Sequence, residues 1–247
     1  MPRLTRTLSF LAAFALLAGI CAGAFALLNY QWNWAQAASY WRLFWDGWLT
    51  TVGISALAIP FSCLIGLLLA LARRAPIMPL RDMVRIFVEL TRGTPLLVQL
   101  FIYWYAFGEK LSSDLRLVAG ALTLSFFEGA YISEIFRAGI ENVGASQLET
   151  ARSLGFSRVQ TYRYVIFPLA LRQSLPPLAG QFASIIKDSS LLSVLGIAEF
   201  SLAATQTNSI TYTTFEIYLP VALGYLILTL PISLWTQRLE QRSRFET

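Results

Sequence analysis

Long stretches of this chain carry no charged residue, among them those between Arg6 and Arg42, Asp46 and Arg73, Arg92 and Glu109, Arg172 and Lys187, and Glu216 and Arg238. A helix that crosses a bilayer needs ~20 mostly apolar residues. The pattern predicts spans near 8–28, 48–72, 93–108, 117–136, 173–198 and 216–236, the third continuing back toward Phe87. The fourth contains Glu128 and Glu134, and the fifth Lys187 and Asp188. A β-barrel would show segments of ~10 residues with strict alternation. These runs are continuous, and a helix satisfies its own backbone inside lipid. The expected fold class is all-α: a polytopic membrane helix bundle of about six spans, five core and one N-terminal.

Composition supports this. Charged residues make up 13% of the chain and hydrophobic ones 56%, where a soluble domain carries about 25% charged. A disordered chain, a coiled coil and a disulfide scaffold are excluded, and a soluble enzyme is disfavoured. The chain has no histidine, which removes Ser-His-Asp triads and His-ligated metals. Cys21 and Cys63 lie in apolar runs without metal-type spacing and read as small buried residues.

Arginine placement sets the expected orientation. With six spans, fifteen of the 19 Lys and Arg residues fall on the side of the two termini, and only Arg42, Lys110 and Arg116 fall opposite. Both termini are expected to be cytoplasmic. The net charge of +5 is then a topology signal, and no nucleic-acid partner is expected. Arg3 and Arg6, the apolar run behind them and Ala22-Gly23-Ala24 also fit a cleavable signal peptide. A signal core is ~7–15 residues, shorter than this run, so a retained span is preferred. From Asn29 to Trp48 the outer segment holds Trp32, Trp34, Trp41, Trp45 and Trp48. Tryptophan favours the membrane interface, so an interfacial helix is expected, with a docking surface for an outside partner as the alternative.

The longest polar inner segment, 138–165, is structured in expectation. Ser146 and Glu149 form a capping-box pattern, predicting a helix over 147–154. Gly155 then ends it in the left-handed role, and a second helix starts near Ser157.

This segment resembles the signature loop of permease subunits of ATP-binding-cassette (ABC) importers: Glu149, Ala151, Gly155, Val165 and Pro168 fall at matching offsets. Thr150 and Phe167 depart from the pattern. The segments "ELTRGTPLLVQLFIYWY" (89–105), "GAYISEIFRAGIENV" (129–143) and "LPPLAGQFASIIKDSSLLSVLGIAEF" (175–200) look like the polar-amino-acid permease family, which includes histidine, glutamine, arginine and glutamate importers. The resemblance covers about 48–236. It implies a type I importer transmembrane domain over 48–247, with 1–47 as an added span and outer segment. It implies a bacterial inner-membrane location and a loop, residues 141–156, that couples to a cytoplasmic ATPase through Glu149, Ala151, Gly155 and Pro168. It implies partners too: a second permease subunit, two ATPase subunits and an extracytoplasmic binding protein. No phosphate-loop motif occurs, so no cofactor is expected in this chain; ATP and Mg would bind the partner ATPase.

A zwitterionic substrate needs partners for both charges, often supplied by broken helices at mid-membrane. Gly93-Thr94-Pro95 and Pro176-Pro177 with Gly180 are the expected breaks, because proline removes a donor and clashes with the preceding turn; Pro60 reads as a kink. Charges within spans default to functional hypotheses. Lys187 and Asp188 are adjacent and cannot face each other on a helix. Asp188 is expected on the substrate path, and Lys187 in a structural pair or on a carboxylate. The resemblance also places this pair near the path. Glu128 and Tyr131 share a helix face, and an acidic group there favours a basic or neutral polar amino acid. Glu134 and Arg137 read as an ion pair. Thr94, Gln99, Gln181 and Ser184 are candidate hydrogen-bonding contributors or polar glue between helices. An ion-coupled secondary transporter is the alternative, but such proteins often carry repeated halves and none is visible.

Overall fold

The computed structural model describes residues 3–27, 30–108 and 110–243. Residue 28 at the end of the first expected span, Asn29, Glu109 and Arg244 lie outside the described residues, as do the side chains of Arg3, Arg6, Cys21 and Arg242. The described residues form helices and no strand. They are α1 (Arg3–Leu27), α2 (Trp34–Ala38), α3 (Trp41–Ala72), α4 (Met78–Gly93), α5 (Leu96–Tyr103), α6 (Ser113–Glu141), α7 (Ala145–Ser153), α8 (Arg158–Thr161), α9 (Phe167–Asp188), α10 (Phe200–Thr211) and α11 (Thr214–Ser243). Five-residue π turns follow α5 (Trp104–Gly108) and α8 (Tyr162–Ile166), and a 3₁₀ segment, Ser189–Leu195, follows α9.

By length and composition α3, α6 and α11 can each cross a membrane as single helices, and α4 with the stretch Leu96–Gly108 would make a fourth span bent by 111°. The expected count of six is not established by this measure. It would need α1, whose apolar stretch is Leu11–Ile20, and α9, which carries Arg172, Lys187 and Asp188. The third expected span is therefore a sharply bent pair of helices. The Trp-rich segment expected on the outer side is also divided. Trp34 begins α2, whereas Trp41, Trp45 and Trp48 belong to α3, which runs on without a break at residue 48.

The core is the seam between α3 and α6, the most extensive helix pair in the molecule. Gly66 and Gly129 permit the close approach. A Cβ on Gly66 would stand 2.6 Å from Ile132 Cγ2, and one on Gly129 would stand 2.6 Å from Ile65 Cγ2. Each isoleucine thus fills the notch left by the opposite glycine. Around this seam Ile54, Leu100, Leu124, Ile132, Ile185 and Leu192 are buried together. α9 packs on α6 and α11, and α10 on α3.

The end of the bundle where α10 and α11 begin is tied by two buried carboxylates. Glu199 caps α10, accepting from the Leu202 amide at 2.9 Å, from Tyr225 Oη at 2.8 Å and from Thr51 Oγ1 at 3.2 Å. One side chain thereby joins α3, α10 and α11. Glu216 accepts from Tyr30 Oη at 2.6 Å and from the Asn33 amide at 2.5 Å. Phe215 packs edge-on against Phe25 and Tyr30, each with ring centroids 4.8 Å apart. The segment before α2 is thus pinned to the start of α11. Beside it Trp34, Trp41, Trp45, Trp48 and Phe200 line a groove of about 560 Å³.

Candidate functional site: a polar stripe inside the bundle and a helical turn beyond α6

The break between α4 and α5 forms where proline chemistry demands it. The residue before a proline is pushed out of the helical region. Thr94 is extended, at φ −120° and ψ 147°, and Pro95 follows at ψ 137°. The carbonyls released at the end of α4 need donors. Gln99, buried, reaches back from α5: its amide donates to Thr91 O at 2.7 Å and to Thr94 Oγ1 at 2.7 Å. The Thr94 hydroxyl donates to Leu90 O at 2.8 Å. The Thr94 hydroxyl and the Gln99 side-chain NH2 group are thus engaged in holding the break.

The second expected break does not occur. α9 runs unbroken through Pro176, Pro177 and Gly180 to Asp188. Each proline removes one intrahelical bond, but Ser174, Pro176, Leu178 and Ala179 are buried where α9 packs between α6 and α11, and that packing holds the helix. Its geometry changes further on, at Ser189, where the chain tightens into the 3₁₀ segment and stops at left-handed Gly196. Pro60 likewise sits inside continuous α3.

α9 carries a stripe of half-buried polar residues, Gln181, Ser184 and Asp188, at spacings of three and four that align on one helix face. The middle of α6 faces it. Glu128 is 0% exposed, and its Oε2 accepts from the Gln181 side-chain amide. Its other oxygen, Oε1, is buried without a hydrogen-bond partner. The Asp188 carboxyl lies within interaction range of Glu128. Glu128, Gln181 and Asp188 are therefore brought together. Tyr131 is not: its hydroxyl points to Arg92 O at 3.5 Å, and the Arg92 guanidinium lies 5.3 Å from its ring. Lys187 is exposed and makes no ion pair among the described residues.

Toward the end of α6, Glu134 pairs with Arg137 at 2.8 Å, as the spacing predicted. It also bonds Arg73 at the end of α3 and lies 3.7 Å from Arg92 of α4. Sequence reasoning missed these two, because neighbours on other helices leave no periodic signal.

The loop beyond α6 is helix, turn, helix. α7 starts two residues earlier than its capping-box reading requires. Gly144 is the N-cap and no side chain caps the helix, so Ser146 lies inside α7 and Glu149 is exposed on it. The box that forms is the next one: Ser157 Oγ accepts from the Gln160 amide at 3.3 Å, and Gln160 Oε1 accepts from the Ser157 amide at 2.8 Å. Between them α7 ends in a Schellman motif. The Phe156 amide donates to Ala151 O at 3.0 Å and the Gly155 amide to Arg152 O at 2.9 Å, with Gly155 at φ +75°. Ala151 is buried, Pro168 lies in the first turn of α9, and Leu154 and Val159 stand 68% and 75% exposed. Apolar side chains so exposed on a polar loop are expected of an interaction face.

Residues 62–245 match the family model described as "Binding-protein-dependent transport system inner membrane component". The chain is 36% identical over 217 residues to the glutamine transport system permease protein GlnP of Escherichia coli strain K12, covering 87% of this chain and 99% of that protein. It is 35% identical over 212 residues to the L-cystine transport system permease protein TcyB of Bacillus subtilis, covering 85% and 90%. Among solved structures, one described as an amino acid ABC transporter with histidines superposes with a TM-score of 0.78 at 35% identity, covering 86% of this chain and all of that one. The MetNI methionine ABC transporter, at 18% identity and a TM-score of 0.60, shares the fold.

Proposed function

This chain belongs to the family of binding-protein-dependent transport system inner membrane components, and from that membership we propose that it forms, with a second permease subunit, the path by which an ABC importer takes polar amino acids into the cytoplasm. It is a transport subunit, not an enzyme. ATP and Mg bind the separate ATPase chains, and an extracytoplasmic binding protein delivers the substrate. The relatives named for glutamine and cystine transport support the substrate class. The excess of arginine at the inner ends supports a topology with both termini cytoplasmic.

The observation that carries this reading is the rigid turn between α7 and α8, with exposed apolar side chains on either side of Gly155. An ATPase groove that grips residues 141–156 through Glu149 and Leu154, with Val159 beside them, can pull on α6 through α7 and on α9 through α8 and the π turn after it. Ala151 anchors the turn and Pro168 starts the next helix. ATP-driven closure then shifts the pair between inward- and outward-open states, which requires that ATP favour one state differentially. Gln181, Ser184, Asp188 and Lys187 offer polar groups to the substrate, with Glu128 behind them. Thr94, Gln99 and Tyr131 shape the path by holding the α4–α5 break and its neighbour Arg92.

Purification in mild detergent from the native membrane tests the assembly. A stoichiometric ATPase is expected to accompany the chain and to be lost when Glu149 and Gly155 are both replaced. A chain that purifies alone and transports in vesicles without ATP would overturn the reading.

A further inference from the structure

Where α3 ends, the molecule gathers more positive charge than it neutralises. Arg73 and Arg74 follow the last turn of α3, at the depth where a spanning helix leaves the hydrocarbon for the lipid headgroups. With Arg85 and Glu89 of α4 and Glu134, Arg137 and Glu141 of α6, they line a cavity of about 360 Å³. Glu134 is shared by Arg73, Arg137 and, at 3.7 Å, Arg92, while Glu141 also takes Arg137. Three guanidinium groups thus divide two carboxylates. Arg74 and Arg85 make no ion pair among the described residues. Arg74 donates instead to the neutral Tyr162 hydroxyl at 2.8 Å, and Glu89 is the one carboxylate left in the cavity lining. Arg85, Glu89, Arg137 and Glu141 all lie within electrostatic range of Arg73. Five arginines therefore face three glutamates, which leaves an excess of two positive charges.

The surroundings decide what form the counter-charge takes. Leu67 and Leu71 stand seven and three residues before Arg74 on the same helical face, and are 42% and 54% exposed. α4 has three sides: Val84 and Val88 are buried, Arg85 and Glu89 line the cavity, and Met83, Ile86 and Leu90 are exposed. A small soluble anion would engage the arginines alone. An amphiphile engages the arginines and the exposed apolar side chains together. Guanidinium groups meet phosphate through paired donors, and basic pockets beside spanning helices suit anionic headgroups. We propose that the cavity between the end of α3, α4 and α6 binds the phosphate headgroup of an anionic phospholipid, with an acyl chain along Leu71 and Leu67. A zwitterionic lipid brings its own ammonium and leaves the excess unmatched. The bound headgroup ties α4 to α3 on the near side of the Thr94-Pro95 elbow.

The test is native mass spectrometry of the chain purified with the subunits that accompany it, delipidated and then titrated with phosphatidylglycerol or phosphatidylcholine. Phosphatidylglycerol is expected to bind at least about tenfold more tightly, ~1.4 kcal/mol. Arg74→Gln with Arg85→Gln leaves the pairs of Glu134 in place and is expected to lower phosphatidylglycerol affinity to that of phosphatidylcholine. Arg74→Lys with Arg85→Lys keeps the charge and is expected to retain most of the affinity. Arg158→Gln with Arg238→Gln removes the same charge from exposed positions elsewhere and is expected to change nothing. Equal affinity of the unmodified chain for the two lipids overturns the inference, even where the glutamine variant fails to fold. So does an equal loss in the Arg158 and Arg238 variant, which would mark a general attraction to the charged surface. Displacement of the bound lipid by millimolar inorganic phosphate would make the cavity a free-anion site and overturn its assignment to a lipid.

Discussion

Two proline sites in this chain look alike on paper and behave in opposite ways. At Thr94-Pro95 the helix turns through 111°; at Pro176-Pro177 it does not stop. Proline weakens both places by removing donors, one at the first and two at the second. What differs is the company. At the first site Gln99 supplies new donors to the freed groups of α4, so the broken form is satisfied. At the second, burial between two neighbouring helices stabilises the continuous form. A proline thus licenses a break in a membrane helix, and a local side-chain donor decides whether the break is taken.

The comparison can be pressed by substitution. Gln99→Leu carries the largest expected effect. It leaves buried carbonyls at the break unpaired, at a cost of about 3 kcal/mol, read as a fall in the thermal midpoint of the solubilised protein. A midpoint unchanged from wild type would mean that the bend is held by something other than Gln99.

Gly155→Ala extends the comparison to a turn made without proline. Nothing crowds a Cβ there, so the expected penalty of roughly 1–2 kcal/mol comes from the left-handed backbone alone. It should show as weakened ATPase association. Gly155→Asn, which tolerates that conformation, should recover part of the loss.

Ser157→Ala removes the side-chain cap of α8 and is expected to cost ~1 kcal/mol. Ser146→Ala, in the box that does not form, should cost far less, and hydrogen exchange across the loop would separate the two. Smallest of all, Pro177→Ala restores a donor to an intact helix and should change stability by less than about 1 kcal/mol. A large loss there would show that α9 depends on its proline rather than tolerating it.

The contrast also marks how far the sequence could be read. Charge-free stretches locate α3 and α11 because their lipid-facing surface must be apolar along its whole length, and α6 was read from its apolar run despite Glu128 and Glu134. Gly155 was legible because a polar helix ending in glycine admits few conformations. The unbroken course of α9 was not legible, since the packing that holds it comes from α6 and α11. The two Ser-x-x-Glu/Gln patterns, at Ser146 and Ser157, are equivalent locally. Which one caps a helix depends on where the preceding chain lets the helix begin, and Gly144 takes that place for α7. Within the polar site, Glu128, Gln181 and Asp188 were named from the sequence, but their meeting was not. The grip of Glu199 on three helices went unread, because its partners Thr51 and Tyr225 are far away in the chain.

The interlocked glycines and isoleucines of the α3–α6 seam have a mechanical consequence. A slide of one helix past the other by a single residue, about 1.5 Å, would drive Ile132 out of the notch at Gly66 and against its walls, and Ile65 out of the notch at Gly129. The seam behaves as a keyed joint, rigid to shear. Under the coupling proposed for the turn at Gly155, force would travel through the pair as through a lever, and the compliance needed to open and close a path would reside where the backbone is already broken: the elbow at Thr94-Pro95 and the tightened stretch after Asp188.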